Sequence, residues 1–153
     1  MLEKRMISNK KISIIGLGYV GLPLATEFAK KYKVVGYDIS TIRVEELKKG
    51  KDRTKEIKNK KLLINNNLVF TNDLNYMKNS DFFILTVPTP ITKKNKPDLS
   101  IIKQAALNVA KVLNKGAIII LESTVYPGIT EDFLVPIIEK FPKLQHKKDF
   151  FVA

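Results

Sequence analysis

The sequence predicts an α/β fold built on a doubly wound parallel sheet of about six strands, with helices on both faces. Short apolar runs alternate along the chain with longer segments of helical period. Two of the runs, "DFFILTVP" at 81–88 and "AIIILES" at 117–123, are almost wholly apolar, which is typical of strands buried on both faces. Because strands and helices alternate, we expect parallel strands joined through helices.

Six segments have strand composition, being short, rich in β-branched or aromatic residues, and bounded by polar or turn residues. The predicted strands are 12–15, 33–38, 67–71, 81–88, 117–123 and 149–153. The predicted helices are 20–31, 41–50, 54–63, 72–80, 98–116 and 128–141. Pro23 falls in a first turn, where its missing N–H costs little. Gly50 and Gly116 are expected to end their helices, and Pro136 to kink the last one.

Length and composition indicate one globular domain. The chain has 153 residues, of which 44% are apolar, enough for a substantial core. We divide it into a basic N-terminal extension, 1–10, and a domain, 11–153. No apolar run approaches the roughly 20 residues needed to span a bilayer, and no signal peptide is recognised, so no membrane partner is expected. The absence of cysteine fits a cytoplasmic location, and no metal site is predicted.

The chain carries a formal net charge of +12, which can indicate a nucleic-acid partner or an anionic substrate. The densest basic stretch is 48–61, "KKGKDRTKEIKNKK". Asp52 and Glu56 interrupt it, and it contains no aromatic residue that could stack on bases. We therefore interpret this stretch as a solvated helical surface and expect no nucleic-acid partner, keeping a basic nucleic-acid-binding protein as an alternative.

The motif "GLGYVG" at 16–21 follows the first predicted strand and opens the first helix, the context of a Rossmann-type dinucleotide loop. Gly16 would permit the tight turn, Gly18 would leave room for a pyrophosphate, and Gly21 would let the helix pack closely on the sheet. The free N–H groups at the helix N-terminus would then face the phosphates. A plain tight turn without ligand is the alternative.

Asp38 ends the second predicted strand, 22 residues after Gly16. Its carboxylate would accept hydrogen bonds from the ribose hydroxyls, which favours NAD over NADP because a 2′-phosphate would meet a negative charge. Alternatively, Asp38 caps the helix that begins near Ser40. Arg43 would reach an adenosine phosphate or stack on adenine, or would be a solvated helix residue.

Five motifs in order, "GLGYVGLPLA" (16–25), "GYD" (36–38), "TVPTP" (86–90), "KPDL" (96–99) and "ESTVYPGITE" (122–131), resemble the UDP-glucose/GDP-mannose dehydrogenase family over 11–153. "VPTP" and "ESTVYPG" resemble the members that act on UDP-N-acetylhexosamines, and they argue against 6-phosphogluconate and 3-hydroxyacyl dehydrogenases. The resemblance implies an NAD-dependent oxidation of C6 of a UDP-sugar to a uronic acid for capsule and other surface polysaccharides.

The resemblance also implies roles for individual residues. Asp38 and Arg43 would bind the adenosine half, and Ser123 and Thr124 would lie near the nicotinamide. Thr124 matches a family threonine that orders a catalytic water. Local backbone capping by the two hydroxyls is the alternative. The remaining implied cofactor-binding residues are Gly16, Leu17, Gly18, Tyr19, Val20 and Gly21 for the pyrophosphate, and Val87, Pro88, Thr89 and Pro90 for the cleft wall.

The family's nucleophilic cysteine has no counterpart, because the chain contains no cysteine. The family's substrate-binding regions would also lie beyond these 153 residues. We therefore expect that this polypeptide alone forms no uronic acid. A non-catalytic module that holds NAD or a partner subunit is the alternative function. Homo-oligomerisation stays open, since a face that a further helix covers in the family would favour self-association if exposed.

Overall fold

The computed structural model describes residues 9–57, 65–92, 96–141 and 144–153. Six parallel strands form one sheet in the order β3-β2-β1-β4-β5-β6. The strands are β1 (Lys11–Ile15), β2 (Lys33–Tyr37), β3 (Leu68–Thr71), β4 (Phe82–Leu85), β5 (Ala117–Leu121) and β6 (Phe150–Val152). All six predicted strands and the predicted fold class are confirmed.

The strand order reverses direction at β1. The chain moves from β1 outward to β2 and β3, and then returns to place β4 on the other side of β1. Ile15 and Leu85 are paired at the carboxyl ends of β1 and β4. Because the connections leaving these two strands diverge to opposite faces of the sheet, a crevice opens between them.

Helices cover both faces of the sheet, as predicted. The α-helices are α1 (Gly21–Phe28), α2 (Thr41–Lys48), α3 (Ser100–Ala110) and α4 (Val135–Ile138). On one face, Ile14 shares a buried apolar cluster with Leu22 of α1 and Leu47 of α2. On the other face, Ile15 shares a second cluster with Ile102 of α3. Adjacent β1 residues thus belong to opposite cores. Burial of each such Leu or Ile side chain stabilises the fold by roughly 1.5–3 kcal/mol.

Several predicted helices were wrong in length or type. The third predicted helix, 54–63, is a turn and bend over 54–57, and its remainder lies outside the described residues. The two turns predicted over 72–80 are a single 3₁₀ turn, Leu74–Met77, which Asp73 caps. α3 ends at Ala110, short of the predicted 116.

Glycine and proline explain the altered helix ends. Gly116 has a φ of +83° and ends the turn that leads into β5, so it does not cap α3. Gly50, with a φ of +70°, comes directly after the C-cap residue Lys49 and ends α2, as predicted. The predicted helix 128–141 consists of a π-helical segment, Ile129–Leu134, followed by α4. Pro136 lies at this transition, where its missing N–H removes one donor from the helical pattern.

Residues 1–8 of the predicted N-terminal extension lie outside the described residues, and β1 begins at Lys11. Over the described ranges, none of the helices has the length and apolar character that crossing a bilayer requires.

Candidate functional site

A cleft of about 640 Å³ lies at the carboxyl ends of β1, β2 and β4, where the strand order reverses. Seven of the predicted cofactor-binding residues line it: Gly16, Leu17, Gly18, Asp38, Arg43, Val87 and Pro88. They come from three separate segments of the sequence. Ligands of open α/β sheets bind at this position.

The three glycines of the loop have different surroundings. Gly16 has a φ of +97°, and its N–H donates to the carbonyl of Tyr37 at 2.9 Å. A Cβ added to Gly18 would meet no atom within 4 Å. A Cβ added to Gly21 would lie 1.8 Å from the carbonyl oxygen of Gly16 and 2.4 Å from Oγ1 of Thr86. Gly21 is therefore required by contact with the loop itself and the end of β4, and not only by the packing of a helix on the sheet.

The loop presents unpaired N–H groups. Among the described residues, none accepts a hydrogen bond from the amides of Gly18, Tyr19 or Val20. Val20 is the N-cap of α1 and makes no side-chain cap bond. Successive free amides at a helix N-terminus form a natural binding position for phosphate oxygens.

Asp38 is bound to the glycine loop through its carboxylate. Oδ2 accepts the N–H of Leu17 and Oδ1 accepts the N–H of Ser40, both at 2.9 Å. Ser40 is the N-cap of α2, and its Oγ accepts the N–H of Arg43. The alternative that Asp38 caps this helix is therefore wrong. Each carboxylate oxygen retains a lone pair for a further donor on the cleft side.

Arg43 is buried, with 6% of its surface exposed, so the alternative of a solvated helix residue is wrong. Its Nε donates to the carbonyl of Leu17 at 2.9 Å, and its Nη2 donates to Oδ1 of Asp52 at 2.8 Å. Nη1 is also buried and has no partner among the described residues. The guanidinium thus connects the glycine loop with the segment that follows α2, at a position where Arg43 also lines the cleft.

Asp52 lies in the stretch that the sequence assigned to a solvated surface, and this assignment is wrong for Asp52, because its side chain is fully buried. Its Oδ1 accepts Arg43 Nη2, the hydroxyl of Thr54 at 2.7 Å and the amide of Thr54, while Oδ2 accepts the amide of Ile57. Burial favours a higher pKa, but these hydrogen bonds outweigh it and lower the pKa of Asp52 to about 2.

The loops after β4 and β5 are joined by side-chain hydroxyls. Ser123 Oγ donates to the carbonyl of Val87 at 2.7 Å, and Thr89 Oγ1 donates to the carbonyl of Thr124 at 2.8 Å. The acceptor of Ser123 lies 36 residues away along the chain, so this bond is not the local backbone capping that was the alternative. The side chain of Thr124 is exposed at the end of β5, and its role in ordering a catalytic water stays a prediction.

Seven predicted site residues lie outside the cleft lining. Tyr19 and Val20 are exposed residues of the loop itself, and Gly21 at its end is buried. The others belong to the joined loops that follow β4 and β5: Thr89, Pro90, Ser123 and Thr124. The cleft lining therefore contains half of the predicted pyrophosphate residues, both of the predicted adenosine residues and half of the predicted cleft wall.

The cleft also contains polar residues that were not predicted from the sequence: Arg53, Thr54, Thr86, Ser100, Gln104 and Asn108. Thr86 Oγ1 lies 2.8 Å from the carbonyl oxygen of Gly16 and 3.0 Å from that of Ile15. Its position at the start of "TVPTP" was a usable signal. Asn108 of α3 is a polar side chain that is only 7% exposed.

The residues of the cleft fit a dinucleotide. Open space at Gly18 leaves room for phosphate oxygens, the amides beside it are free, and the Asp38 carboxylate lies on the neighbouring strand end. Across the described ranges, no three His, Asp or Glu side chains are grouped as metal ligands. The arrangement can bind phosphates through backbone donors and a sugar through a carboxylate.

Comparison with known proteins agrees with this geometry. The family described as "UDP-glucose/GDP-mannose dehydrogenase family, NAD binding domain" matches residues 10–153. The chain is 49% identical over 145 residues to Protein CapL of Staphylococcus aureus, covering 95% of this chain and 34% of CapL. It is also 49% identical over 147 residues to a UDP-N-acetyl-D-glucosamine 6-dehydrogenase of Pseudomonas aeruginosa, covering 96% and 35%.

Among solved structures, a UDP-D-ManNAc dehydrogenase of Pyrococcus horikoshii matches with a TM-score of 0.85 and 37% identity, covering 93% of this chain and 35% of that one. The chain thus spans about a third of the length of the relatives it matches. It therefore belongs to the UDP-glucose/GDP-mannose dehydrogenase family, of which it contains the NAD-binding domain.

Proposed function

We propose that the cleft binds NAD through the residues on its walls. The free amides of Gly18, Tyr19 and Val20 would hold the pyrophosphate, and the Asp38 carboxylate would accept the hydroxyls of the adenosine ribose. The observation that supports this most directly is the row of unpaired amides beside open space at Gly18. Val87 and Pro88 would form the wall on the β4 side, and Ser123 would fix that wall through its bond to Val87.

We propose further that this domain serves the oxidation of C6 of a UDP-N-acetylhexosamine to the uronic acid, for surface polysaccharide synthesis. The names of the P. aeruginosa and P. horikoshii relatives support the substrate class, and CapL supports the link to capsule. When bound, NAD would supply the hydride acceptor. These 153 residues would bind and orient it without forming the uronic acid, because they contain no cysteine to trap the aldehyde. Thr124 remains the candidate for positioning a water.

We also propose a cytoplasmic location, since the cofactor is an intracellular metabolite. A homo-oligomeric state, and function without a nucleic-acid or membrane partner, are likewise proposals.

Calorimetric titration with NAD and NADP tests the binding proposal. NAD should bind at least about tenfold more tightly than NADP, because the 2′-phosphate would approach the Asp38 carboxylate. Asp38→Asn keeps an oxygen that can accept the Leu17 amide but removes the charge. It should therefore weaken NAD binding and reduce the ratio of the Kd for NADP to the Kd for NAD. Glu27→Ala, which changes an exposed carboxylate on α1, is the matched control. Equal affinity for the two cofactors, or no NAD binding at millimolar concentration, would contradict the proposal.

A separate assay tests turnover. The purified 153-residue protein with NAD and UDP-N-acetylglucosamine should show no rise in NADH absorbance at 340 nm. Steady NADH formation would contradict the expectation that these residues alone do not oxidise the sugar. Salt-sensitive DNA binding without NAD binding would instead support the basic nucleic-acid-binding alternative.

A further inference from the structure

The Leu17 residue of the glycine loop is held at both of its backbone polar groups by charged side chains. Its N–H donates to Oδ2 of Asp38 and its carbonyl accepts from Nε of Arg43, each at 2.9 Å. Hydrogen bonds to charged groups are about twice as strong as neutral ones. The orientation of this residue is therefore fixed more firmly than a loop without such bonds would allow.

The carbonyl of Leu17 shares its peptide unit with the N–H of Gly18. Because a trans peptide is planar, these two groups point in opposite directions. Arg43 draws the carbonyl toward the buried side, so the Gly18 N–H is directed away from Arg43. Gly18 lines the cleft, its N–H has no acceptor among the described residues, and a Cβ there would meet open space. The Arg43 bond thus directs one donor toward the position proposed for the pyrophosphate.

Arg43 needs a fixed partner to act in this way. Its side chain is 7% exposed and that of Asp52 is fully buried, so each would be an uncompensated buried charge without the other. Asp52 is itself fixed by the hydroxyl and amide of Thr54 and by the amide of Ile57. The 2.8 Å bond to Nη2 therefore sets the position of the guanidinium from which Nε reaches Leu17.

We propose that Asp52 is a positioning residue for the dinucleotide: it anchors Arg43, Arg43 holds the Leu17 carbonyl, and the Gly18 N–H is thereby aimed at the pyrophosphate. Asp52 does not line the cleft and acts only through Arg43. This inference rests on the proposed assignment of the pyrophosphate to the loop amides.

A double-mutant cycle on NAD affinity tests it. Asp52→Asn should raise the Kd for NAD and for ADP-ribose about tenfold, the typical effect of misplacing one hydrogen bond to a charged group. Arg43→Gln should raise the same two Kd values by at least as large a factor. The double variant should bind no more weakly than Arg43→Gln alone, because Asp52 acts through Arg43. Losses that multiply in the double variant would overturn the inference, and so would wild-type affinity in folded Asp52→Asn.

Arg43→Lys separates positioning from stability. Lysine keeps a positive charge beside Asp52 but has no Nε to hold the Leu17 carbonyl. It should therefore fold and still bind NAD as weakly as Arg43→Gln. The amide resonance of Gly18 in a ¹H–¹⁵N spectrum should move in this variant, and its response to ADP-ribose should diminish. Arg43→Lys with wild-type affinity and an unchanged Gly18 resonance would overturn the inference even if Asp52→Asn fails to fold.

Asp149→Asn is the matched control. Asp149 is also a buried carboxylate, paired with Lys115 and accepting the amide of Gln145, but it precedes β6 at the opposite edge of the sheet. The Asp149→Asn variant should be less stable than the wild type but should have the same Kd for NAD. If the wild-type protein binds no NAD, the proposed function fails. If the wild type binds and Asp52→Asn binds equally well, only the positioning role fails.

Discussion

Gly18 and Gly21 belong to the same loop, yet a methyl group added to each would meet opposite surroundings. At Gly18 it would meet open space, whereas at Gly21 it would lie 1.8 Å from a carbonyl oxygen. Backbone atoms cannot yield by this amount without a shift of the whole turn. We therefore expect that ligand binding requires Gly18 and that the fold requires Gly21.

Gly18→Ala should reduce NAD affinity without reducing stability. The new methyl group would project into the space proposed for the phosphate oxygens, so we expect at least about a tenfold rise in Kd. Unfolding free energy should change by no more than about 1 kcal/mol, the cost of a tolerated surface substitution. Calorimetry and urea unfolding measure the two effects. Unchanged NAD affinity would contradict the assignment of this space.

Gly21→Ala should act first on stability and only in consequence on NAD binding. Overpacking against the Gly16 carbonyl and Thr86 should cost roughly 3 kcal/mol or more of unfolding free energy, and NAD binding should be lost with the loop geometry. Thermal unfolding followed by circular dichroism measures the first effect. A Gly21→Ala protein as stable as the wild type would show that the turn can relax.

Local patterns were sufficient to predict the three glycines and the acid at the end of β2, because these features depend on residues close in sequence. The pair between Arg43 and Asp52 was not predictable in the same way. Both lie in highly polar surroundings, and polar segments ordinarily face solvent. The signal available was weak: an aspartate followed two residues later by threonine, which is typical of a local side-chain turn.

The turn that follows α2 depends on Asp52, and its stability should depend on pH. The pKa of Asp52 is about 2 in the folded protein, against 3.8 ordinarily. Its stabilisation, on the order of 2 kcal/mol, is therefore fully present above about pH 4 and is lost as the pH falls toward 2. The difference in unfolding free energy between wild type and Asp52→Asn should shrink over that interval. Urea unfolding across this range measures it, and a constant difference would contradict the folded-state pKa.

The end of β4 supports the end of β1 through Thr86. Thr86→Val keeps the shape of the side chain but removes the hydroxyl that lies between the carbonyls of Ile15 and Gly16. We expect a loss of about 1–2 kcal/mol of stability and weaker NAD binding, measured by chemical unfolding and calorimetry. Thr26→Val, whose hydroxyl bonds within its own helix, is the control. Equal effects of the two variants on NAD affinity would argue against a role for Thr86 in the loop.

At the scale of whole elements, the sequence predicted strands better than helices. Strand boundaries are set by apolar runs, which are local, and all six strands were found. The segment at 72–80 has helical caps, but only one 3₁₀ turn fits before Ser80 enters the core and bonds to Ser13. The length of that segment is thus set by a tertiary contact that no local pattern contains.

Binding of NAD to the folded domain should raise its melting temperature. At a concentration about one hundred times the Kd, the stabilisation is about 2.7 kcal/mol, which corresponds to roughly 5–10 °C for a chain of this size. Differential scanning calorimetry with and without NAD measures it. Gly18→Ala should show little shift at the same concentration, and a full shift in that variant would contradict the binding site.

The placement of β1 between β2 and β4 also determines when the loop can form. Thr86 and Gly16 are separated by 70 residues of chain, so the loop is completed only after a long-range closure, which is a slow step in folding. If that closure follows the rate-limiting barrier, NAD should slow unfolding and leave the refolding rate nearly unchanged. The cofactor would then protect the domain by prolonging the lifetime of the folded state, and it would not accelerate folding.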